Sequence, residues 1–340
     1  MFPIHNFISP QRSWKMKSPS KIHFNAHRWL VFTIMFFAAL LVTCGVLLGR
    51  NTVNAQTCWR DTTCTGPTAA AFPGTWDQYN FSPTSRTVTP VKILNSDTSF
   101  LSNYPGTAQL SGNGSQLVFD FGQEVGGILT ITYGAAGTGT LGAAFTEAKN
   151  FTGENSDSSN GNFHTDGALY ASFTTSPELN YTMPVDRLRG GFRYLTLFIA
   201  NGSSTTEVSI QDITVEIAYA PTWSNLRAYQ GYFYSSDDLL NRIWYSGAFT
   251  LQTNNIPPST GRELLGSGWE NNQNLDLGTS GESIYVDGSK RDRTVWAGDL
   301  AIAVPSILVG TGDAEGVKNT IQVLYNDQVS EKVLILCPLY

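Results

Sequence analysis

The chain has little that would support several large functional classes. It has four cysteines and four histidines in 340 residues. The cysteines are scattered at Cys44, Cys58, Cys64 and Cys337, and three of the histidines precede residue 28, so no Cys/His spacing of a structural or catalytic zinc site exists. Charged residues make up 14% of the chain, against about 25% in an average globular protein. That excludes coiled-coil, histone-like and acidic disordered classes. The few charges are also unevenly placed. Residues 1–55 hold Arg12, Lys15, Lys17, Lys21, Arg28 and Arg50 and no acid, leaving 15 basic against 27 acidic residues, net −12, for the rest. A body that acidic cannot neutralise phosphates, so no nucleic-acid partner is expected.

What is abundant is glycine (32 residues) and aromatic side chains (12%). That profile suits a turn-rich, β-rich extracellular protein. The length suggests roughly two domains.

From Trp29 to Gly49 no side chain is charged, a run long enough to span a ~30 Å hydrocarbon core. Basic residues precede it, and small residues at Val53-Asn54-Ala55 follow. Two readings stand. A signal peptide cleaved before Gln56 would release the body, whereas an uncleaved anchor would hold it outside, with membrane contact only through residues 29–49. Both export residues 56–340, and the expected location is extracellular, with a type II anchored form as the alternative. Five Asn-x-Ser/Thr sequons, at Asn80, Asn113, Asn150, Asn180 and Asn201, fit a secreted glycoprotein. Cys58 and Cys64 are close enough for a local disulfide in an oxidising compartment.

Residues 1–55 thus form a signal or anchor, and 56–85, rich in Thr, Pro and Gly, an extended lead-in. Residues 86–220 read as roughly seven strands, including Leu117–Phe121, Ile128–Tyr133, Thr140–Phe145, Ala168–Phe173, Phe192–Ile199 and Glu207–Tyr219. Their alternation predicts one core face and one solvent face, hence a β-sandwich. After Pro221 the period changes. Ser235-Ser236-Asp237 offers an N-cap, and Leu239, Leu240, Ile243, Trp244, Ala248 and Leu251 recur at helical spacing. A long loop over 254–290 is unusual unless functional. Trp296–Val309, carrying Pro305, reads as an apolar helix, and Ala314, Val317, Ile321 and Leu324 suggest another. Residues 221–340 therefore read as the start of an all-helical domain. It ends in an apolar, uncapped VLILCPLY, which reads as a truncated product or a frame-shifted exon.

The densest charge cluster is VDGSKRDRTVWAGD, residues 286–299. Carboxylates at a helix start meet its free N–H groups and positive dipole. Neighbouring cations would keep Asp287 and Asp299 ionised, while partial burial would raise another carboxyl for proton donation. The competing reading is a salt-bridged helix start.

This segment resembles the motif of the α-L-rhamnosidase family of glycoside hydrolases, of the type found in filamentous fungi. DFGQEVGGILTI (120–131), FTEAKNFTGENSDSSNGNF (145–163), LRGGFRYLTLF (188–198) and residues 221–254 resemble the same family, in order. The resemblance implies a β-sandwich ahead of a six-hairpin (α/α)6 barrel, and hydrolysis of terminal α-L-rhamnose with inversion. Asp292 would be the catalytic acid. Asp287 and Asp299 would bind rhamnose hydroxyls, Trp296 would face the sugar's C–H surface, and Arg291 would join the pocket. Rhamnose-containing glycosides are the expected ligands, and neither a metal nor any other cofactor is implied. The family's base is a Glu far downstream, beyond the last residue here, and Glu315 and Glu331 are not placed to replace it. Twelve helices of about 11 residues need at least ~130 residues, more than follow Ser235. The expectation is therefore an incomplete barrel, and a chain of rhamnosidase ancestry without turnover of its own. The alternatives are a non-catalytic secreted or anchored carbohydrate-binding β-sandwich, or a six-hairpin glycosidase for another sugar.

Overall fold

Leu117–Phe121 and Ile128–Tyr133, read as separate strands, are one 21-residue strand, Gln116–Ala136. The computed structural model describes residues 57–159, 165–262, 275–291 and 293–328, all within a compact unit spanning Ala55–Tyr340. In chain order the described strands are β1 (Thr87–Val88), β2 (Lys92–Leu94), β3 (Phe100–Asn103), β4 (Ala108–Ser111), β5 (Gln116–Ala136), β6 (Gly139–Thr146), β7 (Leu169–Phe173), β8 (Ser176–Thr182), β9 (Arg189–Ala200), β10 (Glu207–Ile217), β11 (Asn255–Ile256) and β12 (Ile284–Tyr285). The helices are α1 (Asp238–Thr253), α2 (Ala297–Gly310) and α3 (Ala314–Asn326).

The long strand β5 changes partners midway. Its first part pairs with β2 and β9, and its second with β10 and β8, all antiparallel. The register shifts between Asp120 and Gly127. Glycine permits this bend: Gly122 and Gly127 have φ of 78° and 153°, and a Cβ on Gly127 would lie 1.8 Å from the Glu216 carbonyl oxygen. β6 and β7 extend the first set of partners beyond β9, and β1 and β4 pair with β10. Both parts of β5 contribute to one hydrophobic cluster that includes Phe119, Leu129, Ile131, Phe145, Leu195, Val208 and Ile217. The result is a mostly β, sandwich-like body with few helices. β8 escaped the sequence reading because Ser-Pro-Glu-Leu-Asn is neither apolar nor free of proline.

The expected division into core and solvent faces fails in places. Val118 and Asp120 are buried too. Val118 packs with Leu94 and Tyr194 of adjacent strands, and Asp120 accepts two bonds from the Arg193 guanidinium, at 2.8 and 3.1 Å. Burial pushes the Asp120 carboxyl up, but Arg193 and the Gly122 N–H outweigh it, so its pKa ends below the ordinary value.

The lead-in lies along the segment following β10. Cys58 and Cys64 are disulfide-bonded. Trp59 N–H donates to Pro221 O and Ala71 N–H to Tyr229 O, at 3.0 and 3.1 Å. Arg86, buried, donates to the carbonyls of Ile217, Tyr219, Ala220 and Trp223. It gathers the end of β10 and the start of the connector onto one guanidinium, and burial lowers its pKa to about 10.

Helix α1 starts where its cap predicts, with Asp237 Oδ1 accepting from the Leu239 and Leu240 N–H groups. Its orientation is not the one that apolar spacing alone would suggest. Leu239 and Ile243 are 64% and 58% exposed, while Asn241, Tyr245, Ala248, Phe249 and Gln252 are buried. The polar members can be inside because they are paired. Gln252 donates to Leu226 O at 2.7 Å and accepts from Tyr229 and Ser82 hydroxyls, and Asn241 bonds Ser235. Helices α2 and α3 match the expected segments, Pro305 included.

Among the described residues no helix is long and apolar enough to cross a membrane. The apolar run 29–49, Cys44, Cys337 and Glu331 lie outside the described residues.

Candidate functional site

The long loop after α1 is closed at its base by the two-residue pairing of β11 with β12. Beyond β12 the chain is tied to the end of α1, where Val286 N–H donates to Asn254 O at 3.0 Å. The next residue closes a smaller loop on itself. Asp287 N–H donates to Thr294 O, and Thr294 N–H donates to Asp287 Oδ1, both at 3.0 Å. Asp287 is half-buried, so its carboxylate is aimed by the backbone rather than left to solvent.

Trp296 occupies the N-cap position of α2 without a side-chain cap bond. Its indole N–H donates to Thr294 Oγ1, which orients a ring that remains 40% exposed. Asp299 lies in the first turn of α2, beside N–H groups with no intrahelical acceptor.

Asp287 and Asp299 share one end of an open groove of about 840 Å³ between α1 and α2. Ile243, Trp244 and Leu251 line it from α1, and Ile302, Ala303 and Val309 from α2. A smaller cavity beside that end brings Trp296 together with both aspartates, Asn254 and Tyr285. The structure thus unites Asp287, Trp296 and Asp299. Asn254 and Tyr285 were missed, because the C-cap of one helix and an apolar strand carry no local signal of a site.

Two predicted features fall elsewhere. Arg291 is exposed on the loop and does not line the groove. Lys290, one of the cations expected to hold Asp287 and Asp299 ionised, faces the β body instead. Lys290 Nζ is 2.7 Å from Glu147 Oε2 and 3.5 Å from Asp157 Oδ2. Arg293 is buried and donates to Thr260 O and Lys290 O, at 3.0 and 3.2 Å. Burial, together with the charges of Arg262 and Arg189, lowers its pKa to about 9. The reason is reach: Glu147 and Asp157 meet the loop from the far side, a proximity that sequence spacing does not encode. Asp292 lies outside the described residues.

Of the sequons, Asn113, Asn150, Asn180 and Asn201 are exposed. Asn80 is only 7% exposed, and its amide oxygen accepts from Ser82 N–H at 2.9 Å. Its amide nitrogen also donates to Arg227 O at 3.4 Å. Among the described residues, no group of three His, Cys, Asp or Glu side chains is arranged to hold a metal ion.

Chemically, the end of the groove offers two carboxylate acceptors, an oriented indole face and an amide. That set suits a ligand with hydroxyls on its edges and C–H patches on its faces.

No family model matches the chain, and no curated protein matches it. Among solved structures, it is similar to a rhamnosidase from Klebsiella oxytoca with rhamnose bound (18% identity, 69% of this chain, 42% of that chain, TM-score 0.44). It is also similar to a GH78 family rhamnosidase of Bacillus sp. GL1 (22% identity, 64% of this chain, 19% of that chain, TM-score 0.45). A family 29 carbohydrate-binding module aligns at 13% identity over 38% of this chain and 88% of that one, with a TM-score of 0.25. The chain spans less than half the length of either rhamnosidase.

Proposed function

We propose that the chain is part of an inverting α-L-rhamnosidase of the fungal type and binds a terminal rhamnose at the Asp287–Trp296–Asp299 end of the groove, the base being supplied from outside this chain. The observation that carries this reading is convergence: three of the groups that the family resemblance assigns to the sugar, Asp287, Trp296 and Asp299, line one cavity. In this reading the carboxylates of Asp287 and Asp299 accept bonds from ring hydroxyls, and Trp296 covers a C–H face. Asp292 protonates the departing glycosidic oxygen, while a second carboxylate, ~6.5–9.5 Å away, deprotonates the attacking water. The helices from 221 onward are then the first elements of an (α/α)6 barrel, preceded by a lead-in over 56–85 and a sandwich over 86–220. Export as a glycoprotein belongs to the same proposal.

The test is incubation of the protein, extended to carry the downstream barrel, with an aryl α-L-rhamnoside, followed by NMR. Hydrolysis that yields the β-anomer first and is abolished in Asp292→Asn supports the reading. Saturable L-rhamnose binding without turnover, unaffected by Asp292→Asn, would select a carbohydrate-binding module. Preference for glucose or mannose derivatives would select another glycosidase specificity.

A further inference from the structure

We propose that the β body is a working part of the sugar site: Glu124 and Glu147 are positioning residues that hold the loop 287–296, and with it Asp287 and Trp296, against the groove. The inference rests on the reading of that loop as sugar-facing.

Three independent tethers reach the loop from the β body. The first is backbone: Gly191 N–H in β9 donates to Ser289 O at 2.9 Å. Glycines are required here, since a Cβ on Gly190 would stand 2.1 Å from Ser289 O, and one on Gly191 1.9 Å from Glu124 Oε1. The second comes from the bend of β5, where Glu124 Oε1 accepts from Ser289 Oγ at 2.7 Å. The third comes from just beyond β6, where Glu147 Oε2 accepts from Lys290 Nζ at 2.7 Å. Within the loop, buried Arg293 donates to Lys290 O and to Thr260 O. On the opposite flank the Asp287–Thr294 pair closes it.

A loop held at residues 289, 290 and 293 cannot swing Asp287 or Trp296 away from the groove. Ordering achieved before the sugar arrives is not charged to binding, so the tethers should act on affinity. Lys290 is the member to cut, because its side chain is only 15% exposed and its partner acids among the described residues, Glu147 and Asp157, come from the β body.

The test uses the full chain with Lys290→Met, Glu147→Gln and the milder Ser289→Ala. Hydrogen exchange is followed in the 286–296 peptide and, as a control, in the 192–199 peptide of β9. L-rhamnose is titrated by calorimetry. The expected result is faster exchange confined to 286–296 and a rhamnose Kd raised roughly threefold to tenfold, with Lys290→Arg restoring both. A purely structural role would lower the melting midpoint and leave affinity of the folded protein unchanged, which overturns the proposal. Unchanged exchange at 286–296 in all three variants also overturns it. If the wild-type chain binds no rhamnose, the functional reading fails separately. The tethers then stand on confined faster exchange and fall without it.

Discussion

Asp287 and Thr294 bond each other twice, through the Asp287 N–H to Thr294 O and the Thr294 N–H to Asp287 Oδ1, each at 3.0 Å. The same residue therefore closes the loop through both its backbone and its carboxylate. Asp287→Asn retains an acceptor oxygen for Thr294 but loses the charge, and Asp287→Ala loses both. The expected order of rhamnose affinity is wild type, then Asn, then Ala, with Ala weaker by roughly tenfold or more, the size of a lost charged hydrogen bond. Calorimetric titration checks it, and equal affinities for Asn and Ala would separate loop closure from binding.

Helix α1 offers a direct test of its unexpected orientation. Leu239→Ser and Ile243→Ser, on its exposed face, should change stability by no more than about 0.5 kcal/mol. Phe249→Ala, in the core cluster, should cost about 3–5 kcal/mol. Urea unfolding measures all three, and a large loss at Leu239 would reverse the assignment.

The bend in β5 depends on Gly127. A Cβ there would meet the Glu216 carbonyl at 1.8 Å with φ at 153°, so backbone must move. Gly127→Ala should destabilise by about 3 kcal/mol or more, whereas Gly114→Ala, which meets nothing within 4 Å but also has positive φ, should cost about 1 kcal/mol. Thermal melts compare the two.

Glu124 makes stability depend on pH. Burial raises its carboxyl above the ordinary 4.5, with Glu147 and Asp157 adding to the rise and Ser289 and Lys290 opposing it. A raised folded-state pKa means the native state holds the proton longer than the unfolded one. This contribution is complete below the unfolded value and is lost as pH climbs through the folded value. Glu124→Gln cannot ionise, so it should gain stability relative to wild type between pH 4 and pH 7.5. Urea midpoints at both pH values test this, and a relative loss over that interval would show the pKa to be lowered instead.

Expression through a eukaryotic secretory pathway should place glycans at Asn113, Asn150, Asn180 or Asn201 and not at Asn80, whose side chain is enclosed. Peptide mass spectrometry before and after deglycosylation reads each site.

Local chemistry in the sequence by itself determined a good deal. The Asp237 cap, the apolar stretch at 297–310 and the short apolar runs in β5, β6 and β9 mark their elements because hydrogen bonding and side-chain character act within a few residues. The spacing of Asp287, Trp296 and Asp299 was readable for the same reason, since a short loop feeding a helix start keeps its members close. Tertiary structure alone decided which face of α1 is inside, because Gln252 and Asn241 could be buried only once partners from Leu226, Tyr229 and Ser235 were supplied. It also joined two apparent strands into one, through glycines whose need arises from a carbonyl 89 residues away at Glu216. And it turned Lys290 from a sequence neighbour of Asp287 into an anchor on Glu147 and Asp157 of the β body. Which charges meet is set by the packing of distant elements, and no spacing along the chain records that.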